Sequence, residues 1–203
     1  MNFGSIPKEG YRGQVGAAAE GNLPFISPDG KFNQPNWWGD EEATVNYAKT
    51  VVKEVVKTYG IDPDRVVLCG LSRGAIGVNY IGLSDDEIAG LWSAFVTDDH
   101  YDGVRAWDGT SWGTPLADYR KKAATRLARL KGRPVLICQN GGTADIQAAL
   151  LGLKNLTFLD HDTAKILGSF PNETAIYPHT DRWLLKASAD RDRAWDWMQK
   201  RVF

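Results

Sequence analysis

Cysteine and histidine are scarce in this chain of 203 residues, with two of the first and three of the second. Scattered as they are, they give no metal-ligand spacing, so neither a metal nor an organic cofactor is expected. An excess of charge of one sign is also lacking. The 24 basic side chains meet 25 acidic ones, for a net charge of −1, which gives no reason to expect nucleic acid or an anionic membrane surface as partner. No apolar run is long enough to span a bilayer, and no basic-then-apolar leader opens the chain. The expectation is a soluble, cytoplasmic protein as written, or a secreted one if the amino terminus is truncated.

The two cysteines, Cys69 and Cys138, both fall in predicted strands. With one strand between them their separation is about 9–10 Å, beyond the roughly 7 Å that a disulfide bridges. Both are therefore expected to be free, buried thiols.

What is present is an alternation of strand and helix signals over a length that suits a single domain, 1–203. Residues 1–22 are rich in glycine and alanine without a clear period, and a short strand is expected at 23–26. A helix over 40–59 follows from Val45, Ala48, Val52, Val55, Val56 and Tyr59 at three- and four-residue steps. Apolar runs at 66–69, 91–96, 133–138 and 156–159 predict buried strands. Helices are expected at 75–81, 119–130, 143–151 and 190–202, the last presenting Trp195, Met198 and Val202 to the core. Residues 98–118 read as an excursion over one edge of the sheet. This alternation predicts an α/β protein with a doubly wound, mostly parallel sheet and helices on both faces.

The chemistry centres on Gly70-Leu71-Ser72-Arg73-Gly74, set between the strand at 66–69 and the helix at 75–81. A turn that sharp strains the serine and leaves no room for side chains at the flanking glycines. Ser72 would then stand at the carboxyl end of a strand and the amino end of a helix. The Arg73 amide and the helix dipole would face a developing oxyanion.

A serine hydroxyl needs a neighbouring base, itself oriented by a third group. In the order nucleophile, acid, histidine, His179 fits the base, since it follows the last strand signal and precedes the closing helix. His161 is the second candidate, and His100, with Tyr101 and Asp102, is expected to line the pocket. For the acid, Asp145 lies just beyond the strand at 133–138; its other reading is a first-turn helix residue favoured by the dipole. Asp102, Asp98 and Asp99 are rivals one strand earlier. The adjacent Trp37 and Trp38 form either a packed corner or a wall of the pocket. Trp92, Trp183 and Trp195 are expected in the core, whereas Trp37, Trp38, Trp107 and Trp112 could form a rim for an apolar-faced ligand.

The run Ile61-Asp62-Pro63-Asp64-Arg65-Val66 into Gly70-Leu71-Ser72-Arg73-Gly74, with Gly142-Thr143-Ala144-Asp145 and the late His179, resembles the α/β-hydrolase superfamily. It looks closest to the branch of polyhydroxybutyrate depolymerases, feruloyl esterases and acetyl xylan esterases, over roughly residues 23–203. The resemblance implies a nucleophile elbow at Ser72, His179 as base, Asp145 as acid and the Arg73 amide in the oxyanion hole. Two features depart from the family pattern: the Asp145 loop begins Asn140-Gly141-Gly142 where His-Gly is usual, and Arg73 is larger than the residue common after the serine. The family also has three strands before the one at 23–26, which 22 residues cannot hold, so a reduced or truncated sheet is expected. The implied activity is hydrolysis of a small-molecule or polysaccharide-linked carboxylic ester. A peptidase or thioesterase on the same triad, and a weak or inactive hydrolase-like binding protein, stay open.

Overall fold

A computed structural model describes residues 41–101, 116–168 and 178–201 of the chain. The expected strand at 23–26, Trp37, Trp38, Asp102, Trp107 and Trp112 lie outside the described residues. Within them, four strands form one sheet: β1 (Val67–Leu71), β2 (Ala94–Asp98), β3 (Val135–Asn140) and β4 (Leu156–His161). All neighbours are parallel, in the order β1-β2-β3-β4. The seven helices described are α1 (Glu41–Tyr59), α2 (Arg73–Tyr80), α3 (Asp86–Ala89), α4 (Leu116–Ala128), α5 (Ala144–Ala149), α6 (Thr163–Leu167) and α7 (Ala189–Arg201). The protein is α/β, as the alternation of strand and helix signals predicts.

The sheet buries both faces, because successive strand residues point to opposite sides. Leu68, Phe95, Val135 and Ile137 join one core with side chains of α1, α2, α3 and α5. Ala94, Leu136, Cys138 and Leu159 join a second with Trp183 and with Ala194 and Trp197 of α7. Strand order advances in one direction only, and same-handed crossovers in one direction place their helices on one face. That accounts for α2, α3 and α5 sharing a core while α7, after the last strand, crosses to the other side. The reversal of strand order that defines a doubly wound sheet is not found among the described strands.

Two expectations shift. Strand β2 begins at Ala94 where the apolar run starts at 91, because Trp92 is drawn out of line, fully buried and donating its indole N–H to the Gly82 carbonyl at 3.0 Å. In α7 the inward residues are Ala194 and Trp197, with Met198 beside them. Trp195, expected in the core, is 43% exposed, one position out of phase with the buried stripe. Both cysteines are free, with β2 between their strands; Cys138 is buried and Cys69 only partly so.

Candidate active site

The carboxyl edge of the sheet gathers the residues capable of chemistry. At the end of β1, Ser72 has φ 56 and ψ −121, a left-handed backbone that serine rarely adopts. Three bonds hold it there: its N–H donates to the Asp98 carbonyl at 2.8 Å, and its own carbonyl accepts from Ala75 and Ile76 at 3.0 and 3.3 Å. The sequence permits this because a Cβ at Gly70 would lie 2.2 Å from the Gly74 carbonyl oxygen. Helix α2 starts immediately after, and the amides of its first turn have no acceptor four residues back within the helix.

One strand over, β2 ends in Asp98, and the next two residues, Asp99 and His100, both have positive φ, 51 and 64. Aspartate and histidine are among the side chains that tolerate this region. The turn brings the Asp99 carboxylate against the end of β3. Its Oδ1 accepts from Gln139 Nε2 at 2.7 Å and from the Asn140 amide at 2.8 Å. Its Oδ2 lies 2.8 Å from His179 Nδ1. Burial pushes the Asp99 carboxyl up, but the bonds from His179 and Asn140 outweigh it and hold the group below the usual carboxylate range. Reciprocally, the Asp99 hydrogen bond raises His179 above the ordinary imidazole value, against the opposing effect of burial.

With Nδ1 committed to Asp99, the other ring nitrogen of His179, Nε2, is buried and has no hydrogen-bond partner among the described residues. Such a group is costly to leave unpaired. Its ring lies against that of His100, centroids 5.2 Å apart and tilted by 45°.

A second histidine–aspartate pair lies beneath the first and is fully buried. His161 Nε2 is 2.9 Å from Asp98 Oδ1, and Trp183 donates its indole N–H to Asp98 Oδ2 at 2.8 Å. His161 Nδ1 faces the Thr163 hydroxyl at 3.1 Å, and its ring stacks on Trp183 at 4.3 Å. If the Thr163 hydroxyl donates to Nδ1, Nε2 carries the proton towards Asp98. Burial pushes the Asp98 carboxyl up, opposed by His161. Asp98, Asp99 and His161 offer ligand atoms within 4.8 Å of one another. All four carboxylate oxygens, however, already have nitrogen partners, the surroundings of anions held by the protein itself.

Asp99 and His179 are thus paired at the carboxyl edge of the sheet, with the His100 ring alongside, and Ser72 ends β1 at the same edge, tied to Asp98 through its amide and not hydrogen-bonded to His179 Nε2. The carboxylate on His179 is Asp99 and not Asp145. Asp145 is exposed in the first turn of α5, its alternative reading, because Gly141 and Gly142, at φ 84 and 129, turn the chain away after β3. Tyr101, expected in the pocket, is buried in the core beneath it. His161 takes the buried pair, out of reach of solvent. Gln139, Asn140 and Trp183 also belong to the site, and no motif in the sequence marks them for it. The available signal is position, since Gln139 and Asn140 carry β3 one and two residues past Cys138, which is level with Asp98 at the end of β2.

Comparison of the chain with models of known protein families and with curated proteins finds no match.

Proposed function

We propose that this protein is a serine hydrolase of the α/β-hydrolase type that cleaves carboxylic esters. The observation that carries the reading is a strained Ser72 at the end of β1 and, at the same carboxyl edge of the sheet, a His179 whose Nδ1 is fixed by a buried carboxylate and whose Nε2 is left unpaired. The chain order Ser72, Asp99, His179 is that of the α/β-hydrolase triad. The elbow between a parallel strand and a buried helix supports the same reading, with the acid one strand earlier than Asp145.

In this reading Ser72 Oγ attacks the ester carbonyl while His179 Nε2 takes its proton. Asp99, ionised, accepts from Nδ1–H and stabilises the imidazolium without itself being protonated. Negative charge on the carbonyl oxygen is met by the Arg73 amide and the amino-terminal dipole of α2. The tetrahedral adduct collapses by breaking the bond to the alcohol oxygen, which receives the proton from His179. Water then repeats the sequence: its oxygen bonds to the acyl carbon while His179 Nε2 takes its proton, the bond to Ser72 Oγ breaks with return of that proton to Oγ, and the acid leaves. The ester belongs to a small molecule or is linked to a polysaccharide.

The test is reaction with a fluorophosphonate probe and turnover of short p-nitrophenyl esters by the unaltered protein, Ser72→Ala and His179→Ala. Labelling at Ser72, with hydrolysis lost in both variants, is the expected result. A folded protein that neither labels nor turns over would overturn the hydrolase reading in favour of a binding role.

A further inference from the structure

We propose that Trp183 is a positioning residue, whose indole bond to Asp98 keeps His179 on Asp99. The inference rests on the reading of His179 as the base, yet it is testable without catalysis.

Asp98 is a junction of three parts of the chain. Its main-chain carbonyl accepts the Ser72 amide at 2.8 Å. Its place in the chain delivers Asp99 into the left-handed turn. Its side chain, 5% exposed as a residue, takes the Trp183 indole N–H on one oxygen and His161 on the other. Trp183 is wholly buried within a short 3-10 helix, Asp181–Leu185, that begins two residues after His179. Thr180 caps that helix, its hydroxyl accepting the Arg182 amide at 3.3 Å. Three residues therefore separate a side chain anchored on Asp98 from one that meets Asp99, and adjacent carboxylates hold both ends of the segment.

An indole offers one donor and a large flat surface. The surface stacks on His161, which fixes the ring plane, and the donor selects Asp98. Phenylalanine would keep the stack and lose the selection. The His179 segment could then slide along the His161 face, and the Asp99 contact would loosen.

The experiment follows the titration of the His179 imidazole by nitrogen-15 NMR in the unaltered protein, Trp183→Phe and Trp197→Phe. The groups facing His179 are Asp99, Asp98 and the His100 ring. Trp197 is the control for general loss of a buried indole bond, since its N–H donates to Thr157 at 3.0 Å on another part of β4. The expected result is a fall of about half a pH unit or more in the His179 midpoint in Trp183→Phe, with the Trp197→Phe midpoint unchanged. Equal midpoints in the unaltered protein and Trp183→Phe, or an equal fall in both variants, would overturn the proposal. If Trp183→Phe does not fold, β-(3-benzothienyl)alanine at position 183, which replaces the indole N–H by sulfur at nearly constant shape and leaves the Asp98 charge in place, is read in the same way. Hydrolysis of p-nitrophenyl acetate is measured beside it. A shifted midpoint in a protein that never had esterase activity sustains the positioning role and sinks the hydrolase reading; intact activity with an unmoved midpoint does the reverse.

Discussion

Asp99 and His179 meet at 2.8 Å across 80 residues of chain. The aspartate reaches that position only because its backbone turns left-handed directly after β2. A histidine oriented on one nitrogen by a buried carboxylate is a base with a direction, and four expectations follow from that pair and the elbow beside it.

Asp99→Asn should lower kcat for p-nitrophenyl esters on the order of 10⁴-fold, because the amide presents its nitrogen or oxygen without charge and no longer fixes the productive tautomer of His179. Asp145→Asn, an exposed change on α5, should leave kcat within about twofold. Steady-state rates of the two variants decide between the acids. The reverse ranking would return the role to Asp145.

The pH dependence has a definite sign. His179 acts as base only when neutral, and Asp99 raises its pKa. The acid limb of kcat/KM should therefore lie above the unperturbed histidine value of about 6.5. Stability follows from the same shifts. The raised pKa of His179 contributes stability that is fully present below about 6.5 and is lost as pH rises through the folded value. The lowered pKa of Asp99 contributes stability that is present above about 3.9 and is lost as pH falls through the folded value. Urea unfolding should show a larger difference between the unaltered protein and Asp99→Asn at pH 5.5 than at pH 8.5. A difference independent of pH would mean that the pair carries no charge.

The order of elements was legible in the sequence because each strand is a short apolar run and each helix has its own period. The elbow was legible because Gly70 and Gly74 have one steric reason to flank Ser72. The acid was harder to read. Asp98, Asp99, Asp102 and Asp145 all lie near strand ends, and only the left-handed turn at Asp99 and His100 decides which carboxylate faces His179. Local sequence marks that turn weakly, since neither residue is glycine. The same limit applies to α7, where Trp195 and Trp197 are both plausible core residues and the phase is set by packing on β4. Trp197→Ala should cost about 3–5 kcal/mol in urea unfolding, and the half-exposed Trp195→Ala at most about 1 kcal/mol.

The elbow should show opposite signs of stability at two neighbouring positions. Ser72 is held at φ 56, ψ −121, where a residue with a Cβ is strained on the order of 1–3 kcal/mol. Glycine adopts that backbone freely, although it gains entropy in the unfolded chain by about 0.5–1 kcal/mol. Ser72→Gly should thus be more stable than the unaltered protein by about 1 kcal/mol while losing all labelling by a fluorophosphonate. At Gly70 the reasoning inverts: a Cβ would lie 2.2 Å from Gly74 O and 2.8 Å from Ala75 N, all backbone that cannot rotate away. Gly70→Ala should destabilise by about 2–3 kcal/mol. Urea midpoints at constant slope measure both. Stabilisation at Ser72 with loss of reactivity is the signature of strain kept for function, whereas a less stable Ser72→Gly would show that the serine side chain supports the turn and that the elbow is a structural device.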